Sequence, residues 1–391
     1  MILVVNPGSS SIKFKIFNVK DQEIAQGLAE RIGVDGVLTI KYGEKKFEEK
    51  YNFKNHTLAA KEIINNLLNL KIITKLDDIL GVGYRIVHGG KKLDRPILID
   101  DNVLKEMNAC IDLAPLHNKA AMVTIEAFRN VLPKTKFVGC FDTSFHATIP
   151  QVNHFYPINW EYYEKYDVKR YGFHGISFEF ITEKMKSILK KDNVNLIICH
   201  IGNGASCCCV KDNKSFDTTM GFTPLAGLMM GTRSGDVDPS IISYMAGKKN
   251  TTAHEIVDEL NKKSGLLGVS SVSSDFRDVT QSLEKGDKKA KLAFDIYKKR
   301  ISDIIVNYAN QLDGKVDAVI FTAGVGENSY LLREEAIKNV KIIGLEIDSN
   351  ENKKSYDDFT KISSAKSAYP IYAVRTDEEL MICSSTKKII K

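Results

Sequence analysis

Apolar residues recur along this chain with two different periods. Residues 2–5, Ile-Leu-Val-Val, are an unbroken apolar run, and 12–17 (Ile12, Lys13, Phe14, Lys15, Ile16, Phe17) largely alternate apolar with polar. A run and an alternation separated by a Gly-Ser turn read as strand-turn-strand. The outline returns later. Residues 196–199 are apolar, His200-Ile201-Gly202-Asn203-Gly204 is a turn, and 205–210 is a second small apolar strand, so the two segments look like copies. A third strand, 318–321, runs into Thr322-Ala323-Gly324-Val325-Gly326-Glu327 and a helix beginning near Asn328. Elsewhere, apolar residues at three- and four-residue spacing predict helices over 58–70, 119–130, 178–191, 252–263, 288–312 and 331–339, with a last one from about 378 to 390.

Strands alternate with helices throughout, so the fold class is α/β, and the duplicated openings favour two related domains over one doubly wound sheet. A length of 391 residues suits that division, because single cores stop growing at roughly 250–300 residues. The proline-marked segment Thr148-Ile149-Pro150 places the boundary, giving domains 1–148 and 149–379, with a cleft between them and a C-terminal helix, about 380–391, returning to the first. With 43% hydrophobic and 27% charged residues, and no apolar stretch near the roughly 20 residues a membrane helix needs, no membrane association is expected. The first residues lack a basic region before their apolar run, which argues for the cytoplasm over secretion. Seven cysteines show no paired spacing; Cys207, Cys208 and Cys209 would alternate between the faces of a strand and cannot converge on one metal, so they read as small apolar strand residues. The net charge of +6 is spread over dispersed lysines, and without a basic stripe no nucleic-acid partner is expected.

Chemistry concentrates at the ends of the runs. Asn6-Pro7-Gly8-Ser9-Ser10-Ser11-Ile12-Lys13 offers a glycine for close backbone approach, hydroxyl and N–H donors, and a lysine, the components of a phosphate loop as well as of an ordinary turn. Three such loops could surround a triphosphate. No Gly-x4-Gly-Lys-Ser/Thr string occurs, and Cys207 and Ser329 stand where a dinucleotide fingerprint needs its third glycine, so neither common nucleotide-binding pattern fits. Arg85, in Tyr84-Arg85-Ile86-Val87-His88-Gly89-Gly90, either grips a carboxylate or phosphate with its fork or makes a surface ion pair; Arg233 lies in a second glycine-rich stretch. Asp142 ends the strand 137–141 as a metal ligand, a base or a cap. His174, between glycines in Tyr171-Gly172-Phe173-His174-Gly175, reads as a mobile, exposed imidazole. Thr376-Asp377-Glu378-Glu379 either caps the last helix or supplies a metal carboxylate, and Asp236-Val237-Asp238-Pro239 reads as an N-cap followed by proline at N1.

Together these segments resemble the acetate kinase family, in order and along nearly the whole chain: 6–13, 85–90, Ala114-Pro115-Leu116-His117-Asn118, 141–150, 170–175, 200–206, 221–239, 321–329 and 376–379. The resemblance implies the acetate and sugar kinase, heat-shock chaperone and actin superfamily, with two duplicated ribonuclease-H-like domains flanking an ATP cleft. It implies reversible, ATP-dependent phosphorylation of acetate to acetyl phosphate, with ATP and ADP as co-substrates, Mg²⁺ as cofactor with Mn²⁺ able to substitute, and a homodimer. By position, Asn6 and Glu378 match metal-site residues and Asp142 an essential acid. Lys13, His200, Ile201, Gly202, Asn203, Gly204, Asp275, Phe276, Arg277, Ala323, Gly324, Val325, Gly326 and Glu327 match ATP-contacting positions. Arg85 and Arg233 match the arginines that bind substrate and stabilise the transferring group, with His174 assisting and His117 in a lesser role. Val87, Leu116, Phe173 and Pro224 match an apolar pocket for the methyl group. Tyr84, Lys119, Ile176 and Phe178 depart from the family pattern beside these positions. Acetate is already ionised at neutral pH, so the task is to bring two anions together, which favours direct in-line transfer over a general-base mechanism. The rivals are a propionate or butyrate kinase and, in another class, an ATP-binding module of the actin or chaperone type that phosphorylates no metabolite.

Overall fold

A computed structural model describes residues 1–391, the side chains of Pro115 and Leu116 excepted. The chain forms two compact units, Met1–Ala147 with Asp377–Lys391, and Thr148–Thr376. Unit 1 is built on eight strands: β1 (Ile2–Pro7), β2 (Ser11–Phe17), β3 (Glu23–Glu30), β4 (Val37–Tyr42), β5 (Lys45–Lys50), β6 (Gly81–Ile86), β7 (Ile97–Leu98) and β8 (Lys136–Phe141). Their order is β5-β4-β3-β2-β1-β6-β8-β7. Unit 2 carries β9 (Leu196–Ile201), β10 (Ala205–Lys211), β11 (Lys214–Thr218), β12 (Ala318–Thr322), β13 (Phe359–Lys361) and β14 (Ile371–Val374), ordered β11-β10-β9-β12-β14-β13.

Without the outer strands, the two sheets share one plan. β3-β2-β1 and β11-β10-β9 are antiparallel meanders. β6 and β8 continue the first sheet parallel to β1, as β12 and β14 continue the second parallel to β9. The copied strand-turn-strand of the sequence is thus a copied sheet. In such sheets ligands collect beyond the carboxyl ends of the parallel strands, where β1 delivers Asn6, β6 Arg85, β8 Asp142, β9 His200 and β12 Ala323.

The sequence pattern explains the packing. Leu3, Val5, Phe14 and Ile16 are fully buried under the helices of unit 1, each such side chain contributing roughly 1.5–3 kcal/mol of transfer free energy. The helix Glu378–Ile390 lies against β1 and β6, and it can do so because β6 carries glycines: a Cβ on Gly83 would sit 2.3 Å from Thr386 Oγ1 and 2.7 Å from Ile382 Cγ2. The helices run His56–Asn69, Pro115–Val131, Gly175–Leu189, Ala253–Lys262, Lys288–Gln311 and Tyr330–Lys338. Three of them start two to four residues before the apolar periodicity suggests. Asn55 caps the first through the N–H of Leu58, Pro115 opens the second, and His174, at φ 59°, turns the chain into the third.

Two expectations need correction. Ala323–Asn328 is itself a short helix, not a turn leading to one. Pro239 stands at the N-cap of Ser240–Lys249, one place earlier than expected; Asp238 accepts from Ser240 N at 2.8 Å and Asp236 from Gly227 N at 2.8 Å, so both acids serve the local backbone. Cys207, Cys208 and Cys209 are wholly buried on β10, and burial holds all three thiols above their ordinary pKa, Cys209 at about 12. Among the described residues no helix is long and apolar enough to cross a membrane.

Candidate active site

In unit 1 the parallel pairing of β6 with β8 sets Arg85 beside Asp142. Asp142 N donates to Ile86 O at 2.9 Å, continuing the ladder past the end of β8. The guanidinium then meets the carboxylate with both prongs, Nε to Oδ1 at 3.0 Å and Nη2 to Oδ2 at 2.8 Å. Arg85 Nη1 is also 3.4 Å from Glu378 Oε2. Asp142 is 2% exposed, which rules out a surface ion pair. Burial opposes the charge on Arg85, but Asp142 and Glu378 outweigh it and push the guanidinium pKa above its ordinary value.

The acidic cluster before the last helix divides its work. Asp377 caps, accepting from Leu380 N at 2.9 Å; Glu378 faces Arg85; Glu379 takes Lys13 Nζ at 2.5 Å, with Lys15 Nζ 3.8 Å away. Burial favours the neutral acid at Glu379, yet the two lysines hold its pKa below the usual range. Lys13, called from the sequence as a nucleotide contact, therefore already carries a carboxylate partner. Asn6 lies opposite Lys13 in the β1–β2 register. Val87 is half-buried just beyond β6, and His117 is exposed in the first turn of Pro115–Val131; the Leu116 side chain falls outside the described residues. Sequence reasoning gave Asn118 no role. Fully buried, it donates to His88 O at 2.9 Å and accepts from His88 N at 3.2 Å, pinning the turn that follows Arg85.

In unit 2 the imidazole expected to be mobile is held. His174 is half-buried, its Nδ1 lies 2.8 Å from Ser206 Oγ, and its ring stacks on His200 at 4.2 Å and 18°. His200 Nδ1 in turn lies 2.8 Å from Ser177 Oγ, which is 2.8 Å from Thr376 Oγ1. Ser177, Ser206 and Thr376 carried no role in the sequence reading, since isolated hydroxyls leave no pattern. Arg233 is different again. Its Nη1 donates to Pro224 O at 3.3 Å and weakly to Met230 Sδ at 3.5 Å; no carboxylate among the described residues makes an ion pair with it, and burial alone lowers its pKa. A Cβ on Gly204 would lie 3.5 Å from both Arg233 Nη1 and His174 Nε2, so the glycine keeps open a spot that both side chains face.

Next to that loop, unit 2 holds a cavity of about 730 Å³, a size typical of small-molecule sites. Gly202, Asn203, Asp275, Arg277, Gly324 and Tyr330 are among its lining residues. Asp275 caps its helix through Arg277 N at 2.8 Å and accepts the Arg277 fork at 3.0 and 2.6 Å, interactions that hold its carboxyl at a pKa of about 2. Val325 and Phe276 also line the cavity, whereas Ile201 is fully buried in the sheet. Glu327 faces inward: Oε1 accepts from Ala323 N at 2.9 Å and Thr376 N at 3.0 Å. It ties the Ala323-Gly324-Val325-Gly326 segment to Thr376, two residues past the end of β14. Phe173, 2% exposed, and the half-buried Pro224 belong to this unit, while Val87 and Leu116 belong to the other.

Two sheets of one plan, with glycine turns at the ends of their strands, and close structural matches give an actin-like ATPase fold, and the family matched below makes the class a carboxylate phosphotransferase. Comparison with known proteins narrows the class. The model of the Acetokinase family matches residues 1–384. A curated acetate kinase from Mycoplasma mycoides subsp. mycoides SC is 50% identical over 395 residues, covering 100% of both chains. Among solved structures, the acetate kinase of Porphyromonas gingivalis superposes with a TM-score of 0.94 at 38% identity, over 100% of this chain and 99% of that one. A propionate kinase from Francisella tularensis subsp. tularensis SCHU S4 gives 0.94 at 38%, over 99% of each. The chain belongs to the acetokinase family, and a nucleotide co-substrate follows from that membership.

Proposed function

We propose that this protein is an acetate kinase that transfers the γ-phosphoryl group of ATP to acetate, reversibly and in line, giving acetyl phosphate and ADP. An acetate oxygen forms the new P–O bond as the bond to the ADP oxygen breaks; no proton has to move. The observation that carries the reading is Arg233, a half-buried guanidinium with no carboxylate partner among the described residues, beside His174 and an open glycine. Such a charge is costly unless an anion arrives to meet it. The transferring phosphoryl group, with charge spread over three oxygens, is that anion. Arg85, oriented by Asp142, binds the acetate carboxylate, with His117 in a lesser role; Val87 of unit 1, and Phe173 and Pro224 of unit 2, are the apolar candidates for contact with the methyl group. The cavity beside Asp275, Phe276 and Arg277 holds the nucleoside, and Gly202, Asn203, Gly204, Gly324, Val325 and Gly326 approach the phosphates through their backbone.

No group of three or more His, Cys, Asp or Glu among the described residues could hold a metal by itself, but the donors of unit 1 suit Mg²⁺. It takes hard oxygen ligands, commonly one or two from the protein with substrate phosphates and water completing the set. The Arg85 guanidinium stands between two carboxylates, Asp142 and Glu378, a net charge of −1 that a divalent cation would reverse. Asn6 and Glu378 would hold Mg²⁺, or Mn²⁺ in its place; when bound it neutralises phosphate charge. Family resemblance also supports a homodimer, testable by light scattering, and the buried cysteines suit a reducing cytoplasm.

The test is hydroxamate formation from ATP, Mg²⁺ and acetate, propionate or butyrate in the presence of hydroxylamine. Acetate should give the highest kcat/KM; no hydroxamate from any acid removes the kinase reading. Propionate is the second reading, because the Francisella propionate kinase superposes as well as the Porphyromonas acetate kinase. One methylene in the pocket is worth about 1–3 kcal/mol, so the kcat/KM ratio of the two acids decides between them.

A further inference from the structure

We infer that Ser206 is a positioning residue that fixes His174 as a neutral imidazole with its proton on Nε2, aimed at the anion site. The inference rests on the proposed kinase reading for its catalytic consequence, and on geometry for the rest. His200 and Ser206 face each other across β9 and β10, so their side chains share one face of the sheet. His174 enters from the start of the helix Gly175–Leu189 and receives both: the His200 ring stacks on it at 4.2 Å, and Ser206 Oγ reaches its Nδ1 at 2.8 Å. One contact sets the plane of the ring and the other sets its rotation within that plane. His174 has φ 59°, a conformation a side chain other than glycine rarely holds unless its surroundings dictate it.

The proton follows from the neighbours. Arg233 and the stacked His200 ring lie around His174, and a further positive charge on the imidazole would be repelled by the guanidinium and by any charge on its stacking partner. A neutral imidazole has a single N–H. Its Nε2 faces the open side of Gly204 together with Arg233 Nη1, and an anion there needs donors from both. The proton therefore belongs on Nε2, and Nδ1 accepts the Ser206 hydroxyl proton. Sequence alone hides this, because Ser206 sits in a strand between Ala205 and three cysteines and reads as one more small residue.

Two measurements test it. In long-range ¹⁵N–¹H spectra of the ligand-free wild-type protein, His174 should show the Nε2–H tautomer; an Nδ1–H tautomer or an imidazolium at neutral pH overturns the inference, whatever the activity. In Ser206→Ala, both tautomers should appear, and kcat should fall about tenfold, the scale of one neutral hydrogen bond, with KM for acetate and ATP within twofold of wild type. Ser206→Thr, which keeps the hydroxyl, should hold the Nε2–H tautomer and recover most of kcat. A Ser206→Ala protein that retains one tautomer and full kcat refutes the role. Wild-type protein with the expected tautomer but no kinase activity would instead overturn the proposed function and leave the tautomer assignment standing.

Discussion

Replacing Arg85 by methionine separates what its ion pair does for folding from what it does for catalysis. The substitution keeps most of the stem volume but leaves Asp142, with only 3% of its side chain exposed, without the fork that meets both its oxygens. Breaking one side of a buried pair costs about 3–5 kcal/mol, and at roughly 2–4 °C per kcal/mol for a unit of this size the melting temperature should drop by about 10 °C. Asp142→Asn should cost less, because Arg85 keeps Glu378 at 3.4 Å. The double variant Arg85→Met with Asp142→Asn removes the uncompensated charge, so it should melt several degrees above Arg85→Met, a coupling of about 2 kcal/mol. Activity should not follow. All three variants, assayed well below their melting temperatures by hydroxamate formation, should lose at least about 100-fold in kcat/KM, the scale of one preorganised charge contact. Strictly additive melting shifts would refute the coupled pair, and near-normal turnover in Arg85→Met would refute its part in substrate binding.

Further expectations concern unit 2. Gly204→Ala should fold with a melting temperature within about 2 °C of wild type, since the added Cβ meets its neighbours at an ordinary 3.5 Å; it occupies the spot faced by Arg233 and His174, so kcat/KM should fall roughly 100-fold, and retained activity would show that no anion binds there. His154 is half-buried with Nδ1 unpartnered, and burial, with Lys169 and Arg170 adding to it, lowers its pKa from 6.5 to about 4. Between those values the unfolded chain binds a proton that the folded one does not, so this residue's contribution to stability is full above pH 6.5 and declines as pH falls towards 4. His154→Phe should flatten the melting-temperature profile over that window, and an unchanged slope would assign the acid sensitivity elsewhere.

What was legible in the sequence was what repeats or breaks a period. The 2-residue alternation at Ile12–Phe17 and the 3.6-residue spacing of the long helices appear because each has one buried face, and the glycine turns appear because they interrupt both periods. Helix starts were misplaced where a cap, not an apolar residue, sets the first turn, as at Asn55 and His174. The imidazole of His174 was expected to move because its neighbours in sequence are glycines, but its neighbours in space, Ser206 and His200, lie 32 and 26 residues away on the strands of a hairpin. Asn118 likewise acts on a turn 30 residues distant. Long-range polar contacts of this kind carry no local period, so no reading of spacing could reach them.

The duplicated sheets end in opposite electrostatic arrangements, and that difference predicts how each arginine should respond to lysine. Arg85 is compensated: two carboxylates, Asp142 and Glu378, surround one guanidinium, so its net field is small and its value lies in the planar fork that meets Asp142 and orients the remaining N–H. Lysine keeps the charge but has no fork, so Arg85→Lys should be nearly as inactive as Arg85→Met. Arg233 has no carboxylate partner among the described residues and contacts only a carbonyl and a sulfur. Its value lies in the charge itself, placed where two anions must approach. Arg233→Lys should therefore retain at least about tenfold more kcat than Arg233→Met, since a point charge still stabilises the transferring group in a low-dielectric setting. The measurement is kcat for the four variants at saturating ATP and acetate. A lysine that rescues at 85 and not at 233 would reverse the assignment of fork and charge, and with it the argument that the uncompensated guanidinium marks the phosphoryl site.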